Sequence, residues 1–269
     1  MKYESVKVEL RWKMDTSDSG TVKNPNTDIL PIFVVDYADE PPPPVSHEGT
    51  GFLVAKGVLV TCWHCVRAEL EGDLAYAVVK QLPNGQYAIN RLVDIQQDPS
   101  GTDLATARVA FEPEMGLTMA ERAVPSYGTD IWSFGYPLID VQAHPEMPTR
   151  KRFLLSGRFM QSYVMRTFYN DWPGFGRIPS YEIDMPALAG MSGAPIMRRG
   201  SKEVIGVLYG RIDAETIEEF GSRDPVTEER LTPEVVRITY FAAAHFTNTL
   251  KNLKGKVTDG QPLSEYLLS

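Results

Sequence analysis

A serine stands between two glycines in Ala189-Gly190-Met191-Ser192-Gly193-Ala194-Pro195, where an extended run has to turn sharply. Two earlier pieces carry residues that suit it, Thr61-Cys62-Trp63-His64-Cys65 and Thr102-Asp103-Leu104-Ala105. A serine hydroxyl is a poor nucleophile at neutral pH and needs a base within hydrogen-bond reach, itself held by a third group. The unperturbed pKa of histidine fits the base. A carboxylate fixes the imidazole tautomer and stabilises the imidazolium that forms. An oxyanion needs backbone N–H donors that no side chain crowds, which is what glycines at 190 and 193 would provide. These residues read as Ser192 nucleophile, His64 base and Asp103 orienter of a serine hydrolase.

Each piece also has a plainer reading. Gly-x-Ser-Gly alone is usually a turn. A lone histidine is more often structural, and His47, His144 and His245 have no comparable frame. Asp103 competes with Asp94 and Asp98, but only Asp103 runs directly into Leu-Ala and an apolar strand. Cys62 and Cys65 read as a metal or redox pair only with support the sequence lacks. A zinc ribbon needs a second pair, and haem attachment needs a histidine where Val66 stands.

The elements that would position these residues are short strands. Residues 2–13 alternate (Val6, Val8, Leu10, Trp12), 14–28 are turn-rich, and Ile29 to Val35 is apolar. Pro41 to Pro44 cannot join a ladder and read as an extended connector, so residues 1–44 form an N-terminal extension. Gly49 to Thr61 reads as two strands turning at Lys56-Gly57, and 74–81 with 86–94 as a hairpin around Pro83-Asn84-Gly85. His64 to Glu71 would make a helical turn or two, and Leu104 to Phe111 a strand. Further strands follow at 131–136, 152–157, 159–166, 181–185, 194–197, 203–209 and 236–244. Residues 213–234 are an acidic surface insertion, Phe246 to Leu253 a closing helix, and the rest a polar tail. Boundaries fall at 45–125, carrying His64 and Asp103, and 126–269, carrying Ser192. The spacing implies two similar all-β units with a cleft between them.

Composition narrows the class. The 269 residues can bury a substantial core, and the net charge of -8 argues against a duplex-binding protein. No stretch is apolar for the length of a bilayer. The amino terminus alternates charged and apolar residues, unlike a signal peptide, which makes a cytoplasmic location the expectation unless a leader precedes it. Only two cysteines are present, so no disulfide framework is expected.

The order His64, Asp103, Ser192 is that of the chymotrypsin arrangement, and Ala194 breaks the G-x-S-x-G elbow of α/β-hydrolases. The chain resembles the trypsin-like (chymotrypsin-fold) serine peptidases, nearest their bacterial HtrA-like and glutamyl-endopeptidase-like branch. The resemblance is carried in order by Gly49-Thr50-Gly51-Phe52-Leu53-Val54, Val60 to Cys65, Asp103-Leu104-Ala105, Ser133-Phe134-Gly135-Tyr136-Pro137, Gly190 to Pro195 and Val204-Ile205-Gly206-Val207. It implies an all-β fold of two six-stranded antiparallel barrels with a C-terminal helix. It implies His64, Asp103 and Ser192 as the catalytic triad and the N–H groups of Gly190 and Ser192 as the oxyanion hole. Tyr209, Gly210, Arg211 and Tyr240 would line the substrate cleft, with Pro186 to Ala189 nearby. No acidic residue stands at the pocket base, and Arg211 or His245 would suit an acidic side chain about as well as the pocket would suit a small apolar one. Met191 replaces the aspartate of zymogen-type members, so activation by amino-terminal clipping is not expected. Cys65 lacks its family disulfide partner.

The function implied is a serine endopeptidase acting through an acyl-enzyme on protein or peptide, without cofactor or metal. A cytosolic location implies narrow specificity or gating by a regulatory protein partner, and the acidic insertion is a candidate flap. The alternative is a latent or inactive protease fold used as a binding module. Neither nucleic acid nor membrane is an expected partner.

Overall fold

The strands form where β-branched and aromatic residues run between turn residues. The structure, a computed structural model, describes residues 4–6, 27–39, 42–82, 87–121, 127–137, 139, 141–143, 151–153, 155–219, 227 and 235–268. The first half contributes β1 (Glu4–Val6), β2 (Ile29–Asp36), β3 (Pro44–Ala55), β4 (Val58–Thr61), β5 (Leu74–Gln81), β6 (Tyr87–Arg91), β7 (Val93–Gln97) and β8 (Ala105–Arg108). They form one antiparallel sheet in the order β1-β6-β5-β2-β3-β4-β8-β7. Its two edge strands are β1 and β7, and among the described residues no ladder joins them, so this barrel is open on that side.

The second half contributes β9 (Thr118–Met119), β10 (Asp130–Gly135), β11 (Val141–Ala143), β12 (Lys151–Phe153), β13 (Arg158–Trp172), β14 (Gly176–Ile183), β15 (Pro195–Arg198), β16 (Glu203–Glu219) and β17 (Val235–Phe246). The order β15-β10-β13-β14-β17-β16 closes on itself, because β15 also pairs with β16. β9 adds in parallel to β16, and β11 with β12 makes a separate pair. The fold is the expected all-β double barrel, but only one of the two sheets closes as a ring of six.

Several expectations change. Residues 1–44 do not form an extension throughout: β2 lies between β3 and β5, and Ile29, Leu30, Ile32 and Phe33 are fully buried. The prolines lead into β3, where Pro44 pairs with Val35. The helical turns after His64 reduce to one 3-10 turn, Trp63–Cys65. The strand expected at 104–111 ends at Arg108. In place of one strand at 152–157 there is the short β12. The hairpin turn at 83–86, all of 7–26 and residues 220–226 and 228–234 lie outside the described residues.

The acidic insertion is in part regular structure. β16 and β17 pair from Gly206↔Phe246 out to Glu219↔Val235, so residues 213–219 belong to a long two-stranded ribbon. The register slips between Leu208 and Gly210, leaving Tyr209 as the bulged residue. A bulge takes a residue out of the ladder and bends its strand. The closing helix is α1 (Thr247–Lys251), and the tail beyond it is packed rather than free. Leu253, Val257 and Leu263 are buried with residues of the first barrel, and the Lys256 N–H donates to Gln96 Oε1 at 2.8 Å. The short α2 (Leu263–Tyr266) ends this strap.

Candidate active site

Cys62 leaves β4 in extended conformation and the chain closes the 3-10 turn that carries His64. Asp103 sits at the end of the loop from β7 to β8. That loop is tightened by Asp98, whose carboxylate accepts from the Ser100 hydroxyl, from Thr102 Oγ1 at 2.9 Å and from the Lys254 N–H at 3.4 Å. Asp98 and Asp94 are thereby removed as rivals: Asp98 is buried in its loop and Asp94 pairs with Arg108. Asp103 is fully buried, and both oxygens go to His64. Oδ1 accepts the backbone N–H at 2.9 Å, and Oδ2 meets Nδ1 at 2.6 Å. Two bonds from one carboxylate fix both the position of His64 and its ring rotation. Burial alone would lower the imidazole pKa, but bonding to Asp103 and Cys65 and the charge of Asp103 outweigh it and raise His64 to about 10.

Ser192 lies across the cleft on the loop between β14 and β15. Gly190 and Gly193 both have left-handed backbone, φ +90° and +87°. At Gly193 a Cβ would come within 1.9 Å of the Thr50 carbonyl, so only glycine fits. The N–H groups of Met191, Gly193 and Ala194 are used, donating to the carbonyls of Leu188, Leu208 and Met191. Those of Gly190 and Ser192 donate to no protein acceptor among the described residues. They are the two that the resemblance to trypsin-like peptidases implies for an oxyanion hole. The Ser192 hydroxyl donates to the Tyr209 carbonyl at 3.3 Å, and among the described residues it has no hydrogen bond to His64.

The expected cleft residues divide. The Tyr209 side chain is buried, its hydroxyl bonded to Ser180 at 2.6 Å and Asn170 at 2.9 Å, so it presents only its backbone to the cleft. Gly210 lies against the ring of Trp172. Arg211 is exposed on the ribbon, paired with Asp213 at 3.1 Å and stacked 4.9 Å above the ring of Tyr240. His245 is fully buried against Tyr209, ring centroids 4.5 Å apart, and cannot meet a substrate side chain. Burial lowers its pKa to about 4.

Trp172 is a neighbour the sequence reading missed. It ends β13, and its six-membered ring is 2.6 Å from where a Cβ on Gly210 would lie. Its ring centroid is 6.3 Å from that of His64. The only signal was the turn-rich Asn170-Asp171-Trp172-Pro173-Gly174, which reads as a hairpin tip and not as part of a site.

Cys62 and Cys65 are free buried thiols. One ligand atom each of Cys62, His64 and Asp103 lies within 4.8 Å of the others. The set fits a metal poorly, because Asp103 has committed both oxygens to His64 and the Cys62 thiol donates to the Leu208 carbonyl at 3.2 Å.

Comparison with known proteins gives the family and the fold. Residues 49–207, more than half of the chain, match a family described as Trypsin-like peptidase domain. No curated protein sequence matches the chain. Among solved structures, the active form of the Rv3671c protease from M. tuberculosis is 15% identical with TM-score 0.51, over 90% of each chain. The MamO protease domain from Magnetospirillum magneticum is 13% identical with TM-score 0.52, over 84% of this chain and 95% of that one. A serine-to-alanine variant of the HtrA-type protease AlgW, with a decapeptide, is 14% identical with TM-score 0.52, over 85% of this chain and 62% of that one. At such identities the likeness is one of fold. With the family match covering both halves of the candidate site, the chain belongs to the trypsin-like peptidase domain family.

Proposed function

We propose that the protein is a serine endopeptidase that cleaves protein or peptide chains through an acyl-enzyme on Ser192. The observation that carries this reading is the commitment of both Asp103 oxygens to His64, across from a loop whose Gly190 and Ser192 N–H groups have no protein acceptor. In the forward step the Ser192 hydroxyl turns to His64 Nε2, which takes its proton while Oγ bonds to the carbonyl carbon. The charge moves to the carbonyl oxygen, where the two N–H groups meet it. His64 then gives the proton to the departing amine, and water repeats the sequence to free the acid. A hydrogen-bonding donor aimed at that oxygen is worth about 100- to 1,000-fold in rate.

An extended peptide is the substrate shape that suits the cleft. β15 pairs with β16 as far as Val207, the Gly193 N–H and the Ala194 carbonyl bond Leu208, and beyond Leu208 β16 is laddered, among the described residues, on its β17 side alone. A free strand edge beside the nucleophile invites pairing with a substrate backbone.

Two contacts support a gated enzyme. The Ser192 hydroxyl rests on Tyr209 and not on His64, and Trp172 lies on Gly210. A narrow substrate or a partner that moves Trp172 would align the nucleophile. The second reading, a latent protease fold used as a binding module, rests on the same two contacts. Incubating a complex peptide mixture with the wild type and Ser192→Ala, and sequencing new amino termini, tests the proposal. Termini formed by the wild type alone support it. Identical mixtures favour the binding module.

A further inference from the structure

One residue of the first barrel holds the nucleophile loop of the second. Thr50, on β3, is fully buried. Its backbone N–H donates to the Ser192 carbonyl at 2.8 Å. Its hydroxyl donates to the Gly190 carbonyl at 2.8 Å and accepts the Tyr136 N–H at 3.2 Å. Its own carbonyl accepts from Thr61 Oγ1 at 2.7 Å and lies where a side chain on Gly193 would have to go.

Peptide groups are planar, so pinning a carbonyl pins the N–H of the next residue. The carbonyls of Gly190 and Ser192 are both turned towards Thr50. The peptide carrying the Ser192 N–H lies between these two fixed planes, and the peptide carrying the Gly190 N–H abuts the first of them. The loop has two left-handed glycines, and within it the Ala194 N–H holds the Met191 carbonyl and the Met191 N–H the Leu188 carbonyl. The Gly190 and Ser192 carbonyls are held from outside by Thr50, and its hydroxyl is the only side-chain group of Thr50 that does so.

We propose that Thr50 is a positioning residue: its hydroxyl fixes the Gly190 peptide so that the loop presents the Gly190 and Ser192 N–H groups to the reacting oxygen. It acts through the loop and does not touch substrate. The inference rests on the proposed peptidase reading for its catalytic meaning, but the restraint on the loop is separable from that reading.

The test compares Thr50→Val, which keeps the branched shape without the hydroxyl, with Thr50→Ser, which keeps the hydroxyl. Two quantities are followed in the full chain: the saturating rate and half-saturation of fluorophosphonate labelling, and amide hydrogen exchange across residues 188–194. The expected result for Val is a labelling rate lower by about 10- to 100-fold, with half-saturation little changed and faster exchange in 188–194. Ser restores most of both. A residue that only filled space would tolerate Val, lower the melting temperature in Ser alone, and leave the labelling rate untouched in both. Wild-type labelling and exchange in Val would overturn the inference. If the wild type takes no label, the peptidase reading fails, and exchange alone decides: faster in Val and not in Ser upholds the restraint, no change removes it. Should Val not fold, Thr50→Ala is read in the same way.

Discussion

The hydroxyl of Ser192 donates to the backbone carbonyl of Tyr209, 3.3 Å away. That carbonyl is available because the bulge between Leu208 and Gly210 takes Tyr209 out of the ladder with β17. At this length the bond is weak, so the hydroxyl can turn to His64 once something favours that rotamer. Trp172 lies on Gly210 and near His64, which under the proposed gating sets it against an incoming chain. Trp172→Ala is expected to speed fluorophosphonate labelling by about tenfold, a change of 1.4 kcal/mol in barrier, and to widen the range of peptides cleaved. A competition between short peptides that differ at one position measures the second effect.

Asp103→Asn keeps the shape of the side chain but favours the wrong tautomer of His64. The labelling rate is expected to fall by about 10,000-fold. Circular dichroism and melting would show a folded protein, which separates lost chemistry from lost structure.

The raised pKa of His64 sets the pH dependence. Only the neutral ring accepts a proton, so the labelling rate should climb with pH through the neutral range and level off near pH 10, not at the ordinary 6.5. For stability the sign is opposite. A raised histidine pKa means the folded state holds the proton more tightly, so this contribution is complete below 6.5 and fades as pH rises through about 10. Rates and melting temperatures between pH 6 and 10 check both.

His245 behaves in the reverse sense. Burial lowers its pKa to about 4, with Asp103 and Asp98 opposing the shift and His64 adding to it. The unfolded chain binds its proton first on acidification, so stability is present above 6.5 and lost as pH falls towards 4. The loss is on the order of 3 kcal/mol. His245→Phe should flatten the fall in urea midpoint between pH 7 and 4.5. An unchanged slope would place the acid sensitivity elsewhere, with His47, lowered to about 4 by burial, the next candidate.

Gly193→Ala places a methyl against the Thr50 carbonyl and Thr61 Oγ1 at a left-handed backbone position. A cost of about 3 kcal/mol or more is expected. Gly200, also left-handed but with open space around it, is the control, since Ala there carries only the backbone strain.

What the sequence made legible is local. The turn at Gly57, the hairpin of β15 with β16 and the glycines around Ser192 are written in adjacent residues, and so were the candidates His64 and Asp103. What it hid depends on pairing over distance. Nothing within Ile29–Asp36 says that it will lie between β3 and β5, and the prolines after it read as a boundary. Leu253, Val257 and Leu263 sit in polar surroundings without a strand or helix period, so their burial against the first barrel left no pattern. Trp172 reaches the site because β13 runs for 15 residues, a length set by its partner and not by its own composition. Tyr209 shows the same limit at finer scale: the right strand was legible, but the bulge that buries its ring and frees its carbonyl was not.

The most direct test is intact-mass analysis of the protein after fluorophosphonate treatment, with the modified peptide mapped, for the wild type, Ser192→Ala and His64→Ala. One phosphonyl group on Ser192 in the wild type, absent from both variants, is the expected result. A folded wild type that takes no label, or takes it equally without His64, would contradict an assembled nucleophile on this fold.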